Sequence, residues 1–279
     1  MTGKESPDRT VRVAAIQMCS GNDKWRNLAT VDALLKIAAD RDCCLTVLPE
    51  NFAFAGSADN DKLAHAEEEG AGPIQDYLRD AARRYGLWIV AGSLPLRSGQ
   101  PDRCFGASMV FDEQGVLRAC YRKMHLFDVD LAEHKERYRE SATMAHGGQV
   151  VAIDSVIGRL GLSICYDVRF PELYRQLADD GAVAFSIPAA FTSVTGAAHW
   201  HVLMRARAIE NLAYVIAPGQ FGQHPNGRNT YGHSLIVDPW GRVIAEQASG
   251  EAAVVAEIDT AMSSRLRQEF PALQHRRLK

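Results

Sequence analysis

Three side chains stand where the chain leaves an apolar run: Glu50 after Cys44–Leu48, Lys123 after Val116–Arg122 and Cys165 after Arg159–Ile164. Cleaving an amide with a thiol needs a nucleophile, a base that takes and returns its proton, and a fixed cation or donor for the tetrahedral oxyanion. A cysteine, a glutamate and a lysine can fill those roles. Cys165 sits where a strand turns into a helix whose first turn holds Pro171. At such a turn, helix-terminal dipoles or a neighbouring cation lower a thiol pKa, and backbone N–H groups can meet an oxyanion. Read alone, each residue has an ordinary alternative: a buried core cysteine, a solvated glutamate at a strand end, a solvated surface lysine. Spacing by itself does not make the three converge.

Bringing them together requires strands that end at a common edge. Val11–Met18 reads as a buried strand, and Trp25–Ala39 repeats apolar residues at helical spacing through Leu28, Val31, Leu34, Leu35 and Ala38. Strand Cys44–Leu48 runs into Pro49-Glu50, helix Pro73–Tyr85 has proline in its first turn and Gly86 after its end, and strand Leu87–Ser93 follows. Phe105–Asp112 and Val116–Arg122 flank Glu113-Gln114-Gly115 as a hairpin, and Val150–Asp154 with Arg159–Ile164 forms a second. Beyond Cys165 the pattern predicts helices at Pro171–Asp179, His199–Asn211 and Ala261–Glu269. Strands are expected there at Ala182–Ile187, Tyr214–Ala217, Gly232–Val237 and Ala253–Ile258. Hairpins mixed with crossovers exclude a purely parallel doubly wound sheet. They point to a layered α/β sandwich, two sheets face to face with helices outside.

The chain has 279 residues and carries 31 basic against 34 acidic side chains, a formal net charge of -3. That balance gives no footprint for a nucleic-acid backbone or an anionic membrane, so small molecules are the expected partners. No linker, low-complexity tract or repeat divides the chain. We expect residues 1–10 as a flexible lead-in and 11–279 as one domain. The apolar runs Val11–Met18 and Val183–Ala190 are too short to span a bilayer, and Met1–Thr10 lacks a secretory apolar core, which points to a cytoplasmic protein. Six scattered cysteines are expected as free thiols, and none shows the C-x-x-C spacing of a structural metal site.

The motifs around these residues resemble the nitrilase superfamily over almost the whole chain, from Val11-Arg12-Val13-Ala14-Ala15-Ile16-Gln17 onward. Leu48-Pro49-Glu50 is similar to its glutamate motif, and Tyr121-Arg122-Lys123-Met124-His125-Leu126-Phe127 to its lysine motif. Ile164-Cys165-Tyr166-Asp167-Val168-Arg169-Phe170-Pro171-Glu172 is similar to its cysteine motif. The resemblance implies a four-layer αββα sandwich that commonly pairs as αββααββα in a homodimer or a higher homo-oligomer, with the helix after Cys165 and the tail Phe270–Lys279 as expected contact regions. It also implies a catalytic Glu50, Lys123, Cys165 triad with neither metal nor organic cofactor. A second carboxylate, Glu140, would position the lysine and substrate, with Glu136 and Glu133 as neighbouring alternatives. Glu50 would take the Cys165 proton, and Lys123 with the Tyr166 backbone N–H would hold the oxyanion. Ammonia would leave before water hydrolyses the thioester.

Within the superfamily, His125-Leu126-Phe127-Asp128-Val129-Asp130, Pro188-Ala189-Ala190-Phe191-Thr192 and Arg205-Ala206-Arg207-Ala208-Ile209-Glu210-Asn211 resemble the deaminated-glutathione amidase branch. That branch implies a carboxylate-bearing amide such as deaminated glutathione or α-ketoglutaramate. His201 is a departure, since many members carry glutamate there. Arg169 and Arg207 are candidate carboxylate partners, and Arg207 also fits an ordinary pair with Glu210. His125, Phe191, Thr192 and His201 are candidate pocket residues, with loop bracing or packing as the alternative for His125, Phe191 and Thr192. The same triad could serve N-carbamoyl amines, nitriles or an ω-amidase reaction. Outside enzymology, the rivals are a non-catalytic scaffold and a thiol redox sensor built on Cys43-Cys44 with Cys165.

Overall fold

The computed structural model describes residues 10–131 and 136–278, so most of the expected flexible lead-in lies outside the described residues; Thr10 already belongs to the first strand. An eight-stranded sheet is ordered Ala252–Asp259, Thr10–Gln17, Cys43–Val47, Trp88–Val90, Cys104–Phe111, Leu94–Arg97, with Leu117–Arg122 and Met144–Ala145 also paired to Cys104–Phe111. A six-stranded sheet runs Ala152–Ser155, Gly158–Leu162, Ala184–Ser186, Tyr214–Ala217, Ser234–Val237, Val243–Gln247. Both sheets mix parallel and antiparallel pairs. Five α-helices lie among the described residues: α1 (Lys24–Asp40), α2 (Pro73–Tyr85), α3 (Pro171–Asp179), α4 (Ser193–Asn211) and α5 (Met262–Glu269).

The side-chain period of two in Thr10–Gln17 sorts that strand between two cores. Val13 and Ala15 join the core between the sheets, with Leu160, Leu162 and Ile216. Ala14 and Ile16 face the other way, against Leu28, Val31 and Leu35 of α1 and Ile74 and Leu78 of α2. A strand buried on both faces has no polar face to show, so its sequence is a continuous apolar run. Helices α3 and α4 cover the outer face of the second sheet, where Tyr174 meets Phe185 edge-on at 5.2 Å. The layers are therefore α, β, β, α.

Local chemistry sets the helix ends. Asp23 caps α1 by accepting from the Trp25 and Arg26 N–H groups, and Gly86 ends α2 in the left-handed region at φ 63°. Helix α4 starts six residues before the expected His199, because Thr192 caps it through the Thr195 N–H at 3.2 Å. The expected strand Leu87–Ser93 shrinks to Trp88–Val90. Gly92 turns the chain there at φ 30°, and a Cβ on it would lie 2.0 Å from the Pro49 carbonyl. Strands Leu94–Arg97 and Val243–Gln247 were not expected, nor were the hairpins Asp128–Leu131 with Glu136–Arg139 and Phe221–Gln223 with Asn229–Tyr231. No helix among the described residues is long and apolar enough to cross a membrane.

Candidate active site

Each candidate catalytic side chain follows a strand end. Glu50 emerges beyond Cys43–Val47, where Leu48 N–H still bonds the Val90 carbonyl at 2.9 Å and Gln220 Nε2 donates to the Glu50 carbonyl at 2.9 Å. Lys123 follows Leu117–Arg122; its N–H donates to Gly106 O at 2.8 Å and its carbonyl accepts from Gly147 N–H at 2.7 Å. Cys165 follows Gly158–Leu162 from the other sheet, with its N–H on Pro188 O at 2.8 Å and φ at +48°. That conformation costs a non-glycine residue about 1–2 kcal/mol, so the surroundings must hold it.

Asp167 does the holding. It is fully buried, and its Oδ2 accepts from Tyr121 OH at 2.7 Å and Ile164 N–H at 2.9 Å. Its Oδ1 takes the His125 N–H at 3.0 Å and lies 2.7 Å from His125 Nδ1. One carboxylate thus ties the residues flanking Lys123 to the residue before Cys165.

The Lys123 side chain is 2% exposed, and its Nζ lies 2.8 Å from Glu50 Oε1 and 2.9 Å from both Glu140 oxygens. The second Glu50 oxygen accepts the Ala190 N–H at 2.8 Å, and Glu140 Oε2 accepts the Phe127 N–H at 2.7 Å. Burial opposes charge on Lys123, but the charges of Glu140 and Glu50 hold its ammonium pKa well above the usual lysine value. Burial likewise works against the Glu140 carboxylate, yet Lys123 and Lys62 keep its pKa below the ordinary glutamate value. Burial pushes the Cys165 thiol well up, and the charge of Glu50 adds to it against the pull of Lys123. Burial and Glu50 thus both favour the neutral form of the Cys165 thiol.

These groups form the floor of a cavity of about 750 Å³ including its open mouth. Phe127, Tyr138, Tyr166, Phe191, Thr192 and Thr195 wall it, and Lys62, Arg139, Arg169 and Arg228 bring cations to it. Arg228 pairs with Asp59 at 3.1 Å, and Arg139 pairs with Asp130. Arg169 has no carboxylate partner among the described residues. Its guanidinium lies 5.1 Å from the Phe191 ring centroid and 5.8 Å from that of Tyr166, with Nη1 3.2 Å from His199 Nδ1.

Of the sequence-derived candidates, Glu50, Lys123, Glu140, Cys165, Tyr166, Arg169, Phe191 and Thr192 meet at this cavity. His125 and His201 do not. The His125 ring stacks on Phe170 at 3.7 Å and binds Asp167, so it braces the loop. His201 lies beyond the cavity-facing end of α4 and bonds Glu246 at 2.9 Å. Arg207 bonds Glu210 and the Val168 carbonyl, each at 2.8 Å, and serves packing. Glu136 bonds Tyr138 OH at 3.0 Å, and Glu133 lies outside the described residues. Cys43, proposed for redox sensing, has its thiol pushed up to about 11 by burial, the opposite of a reactive sensor. Sequence reasoning missed Lys62, Arg228 and the Ala190 N–H. Lys62 sits in the short 3-10 helix Asp61–His65 and Arg228 in a loop, neither within a motif, and a backbone donor has no residue signature. Asp167 was in view within the cysteine motif, but not its role.

A family model described as carbon-nitrogen hydrolase matches residues 12–268. The deaminated glutathione amidase of Yersinia enterocolitica is 42% identical over 271 residues, covering 96% of this chain and 94% of that protein. Among solved structures, Caenorhabditis elegans NitFhit aligns with a TM-score of 0.90 at 38% identity, over 98% of this chain; the chain spans 66% of that protein. Saccharomyces cerevisiae Nit3, a member of branch 10 of the nitrilase superfamily, aligns with a TM-score of 0.85 at 32% identity over 97% of each chain. With the αββα layers and the matched family in agreement, the chain belongs to the carbon-nitrogen hydrolases of the nitrilase superfamily and is an enzyme acting on a carbon–nitrogen bond.

Proposed function

We propose that the protein is a cysteine-dependent amidase for small carboxylate-bearing amides, with deaminated glutathione as the foremost substrate. The observation that carries this reading is the Lys123 ammonium held between Glu50 and Glu140 beside a buried thiol, in a cavity also lined by the Arg169 guanidinium, which has no carboxylate partner among the described residues. Glu50 takes the Cys165 proton as sulfur attacks the carbonyl carbon. Lys123 and the Tyr166 N–H receive the oxyanion. Collapse of the tetrahedral adduct breaks the C–N bond, the amine leaves with the proton held by Glu50, and a thioester remains. Glu50 then deprotonates a water that attacks the thioester, and the Cys165 thiol is regenerated as the acid departs. Arg169 would bind the substrate carboxylate, where a guanidinium offers paired donors.

The expectation that ammonia leaves needs a correction on chemical grounds. In deaminated glutathione the cleavable γ-amide nitrogen belongs to cysteine, so hydrolysis releases cysteinylglycine; ammonia comes only from primary amides such as α-ketoglutaramate. The assay must therefore follow the keto acid and the amine separately. We would run deaminated glutathione, α-ketoglutaramate, an N-carbamoyl amine and a nitrile beside a Cys165→Ala variant. Cys165-dependent release of cysteinylglycine supports the reading. Carbon dioxide with ammonia, or a nitrile consuming two waters, would move the substrate class, and turnover by Cys165→Ala would sink the thioester route.

A further inference from the structure

Away from the cavity, three ligand-type side chains from separate elements converge: His201 on α4, His233 before strand Ser234–Val237, and Glu246 on strand Val243–Gln247. We propose that His201, His233 and Glu246 form a binding site for a divalent transition-metal ion of the kind that takes imidazole and carboxylate ligands, such as Zn²⁺. This site is independent of the amidase chemistry.

The donor atoms lie within 4.8 Å of one another, with His201 Nε2 at 2.9 Å and His233 Nδ1 at 2.6 Å from the same Glu246 oxygen. In a tetrahedral zinc site, bonds of about 2.0–2.2 Å put ligand atoms roughly 3.4 Å apart, so admitting the ion needs only a small retreat of the Glu246 carboxylate. One Glu246 oxygen already faces both imidazoles, so a single carboxylate would complete a two-histidine, one-carboxylate ligand set.

The imidazoles are held in place by their surroundings. His233 has a left-handed backbone at φ 52°; its N–H donates to Ala248 O at 3.0 Å and its carbonyl accepts Trp200 Nε1 at 2.8 Å. Its ring stacks on Tyr231 at 4.2 Å, and His201 meets the His233 ring edge-on at 5.1 Å. With no ion between them, His201 Nε2 and His233 Nδ1 each turn an N–H toward the shared Glu246 oxygen. A divalent cation would instead take a lone pair from each of those nitrogens, with the ring protons on the opposite nitrogens, and so bind two neutral imidazoles and one carboxylate. All three residues are partly exposed, which leaves a coordination position for water. The ion would fasten helix α4 to the edge strand of the six-stranded sheet.

The probe is Co²⁺, titrated into Cys165→Ala protein and followed by visible absorption and thermal melting, with Zn²⁺ as competitor. We expect one equivalent of Co²⁺ with N/O-type d–d bands, displacement by Zn²⁺ and a raised Tm. His201→Ala and Glu246→Gln should each lose the bands and the Tm rise while melting cooperatively without metal; glutamine keeps an acceptor for one imidazole. Unaltered binding by a folded variant, absence of saturable binding, or a near-ultraviolet thiolate charge-transfer band in place of the N/O spectrum would each overturn the assignment.

Discussion

Replacing Asp167 with asparagine keeps the side-chain shape and turns one of its two acceptor oxygens into a donor. Four hydrogen bonds converge on that carboxylate, two on each oxygen, in a position without solvent. If the amide oxygen stays with His125, the new NH₂ group faces Tyr121 OH and the Ile164 N–H. The hydroxyl can turn and accept; the Ile164 N–H cannot. One buried donor is then orphaned at a cost of about 1–3 kcal/mol, and the remaining bonds lose their charge assistance, for a total of roughly 3–5 kcal/mol. The opposite amide orientation orphans the His125 N–H at a similar cost. Against a typical net stability of about 5–15 kcal/mol, urea denaturation should show a clearly lower midpoint at unchanged slope. Activity should fall further than stability explains, because the affected N–H groups lie one residue from Cys165 and two from Lys123, and a displacement of about 1 Å costs on the order of a hundredfold. Tyr121→Phe, which removes one donor to Asp167 and the acceptor of the Met124 N–H at 3.3 Å, should cost less, about 1–2 kcal/mol. An Asp167→Asn protein with the wild-type midpoint and wild-type kcat/KM would refute the reasoning.

Glu140→Gln removes one of the two charges that hold Lys123, so kcat should drop while the thiol remains titratable by a maleimide; unchanged kcat would remove Glu140 from the machinery. Arg169→Gln should lower kcat/KM for a carboxylate-bearing amide by about 10- to 100-fold, the worth of a charge-assisted contact, and leave a neutral amide almost unaffected; equal losses on both would rule out carboxylate recognition. Alkali should destabilise the fold through its buried thiols. Burial raises Cys104 from 9.0 to about 11, so its contribution is intact below pH 9 and is lost as pH climbs toward 11. At pH 10 the loss is about 1 kcal/mol, and Cys104→Ala should show a smaller drop in urea midpoint between pH 8 and pH 10 than wild type.

What the sequence disclosed follows from what physical pattern each feature leaves behind. Helices α2 and α3 match their expected bounds because Pro73 with Gly86, and Pro171, mark ends through backbone restrictions that act locally. Strand Val243–Gln247 was invisible because an exposed edge strand need not be apolar, and four of its five residues, Val243, Ile244, Glu246 and Gln247, face solvent. The candidate trio Glu50, Lys123 and Cys165 was legible through short motifs, but its convergence needed the sheets. His125 and His201 lie away from the cavity lining for a common reason: residue type and local wording give no information on where a side chain points, and one points at Asp167, the bracing alternative, and the other at Glu246. The cation rim is contributed by two short 3-10 helices, a short hairpin and a loop far apart in sequence, so only the folded chain assembles it.

Glu50 and Lys123 are carried by one sheet and Cys165 by the other. The proposed nucleophile and its proposed base thus meet only once the two layers have docked and squeezed water from between them. A fragment retaining only the first sheet would keep an ammonium and its carboxylates with no sulfur to activate. The seam between the layers is in this sense a safety catch: a half-made molecule carries no armed thiol while it is still exposed to the crowded solution around it.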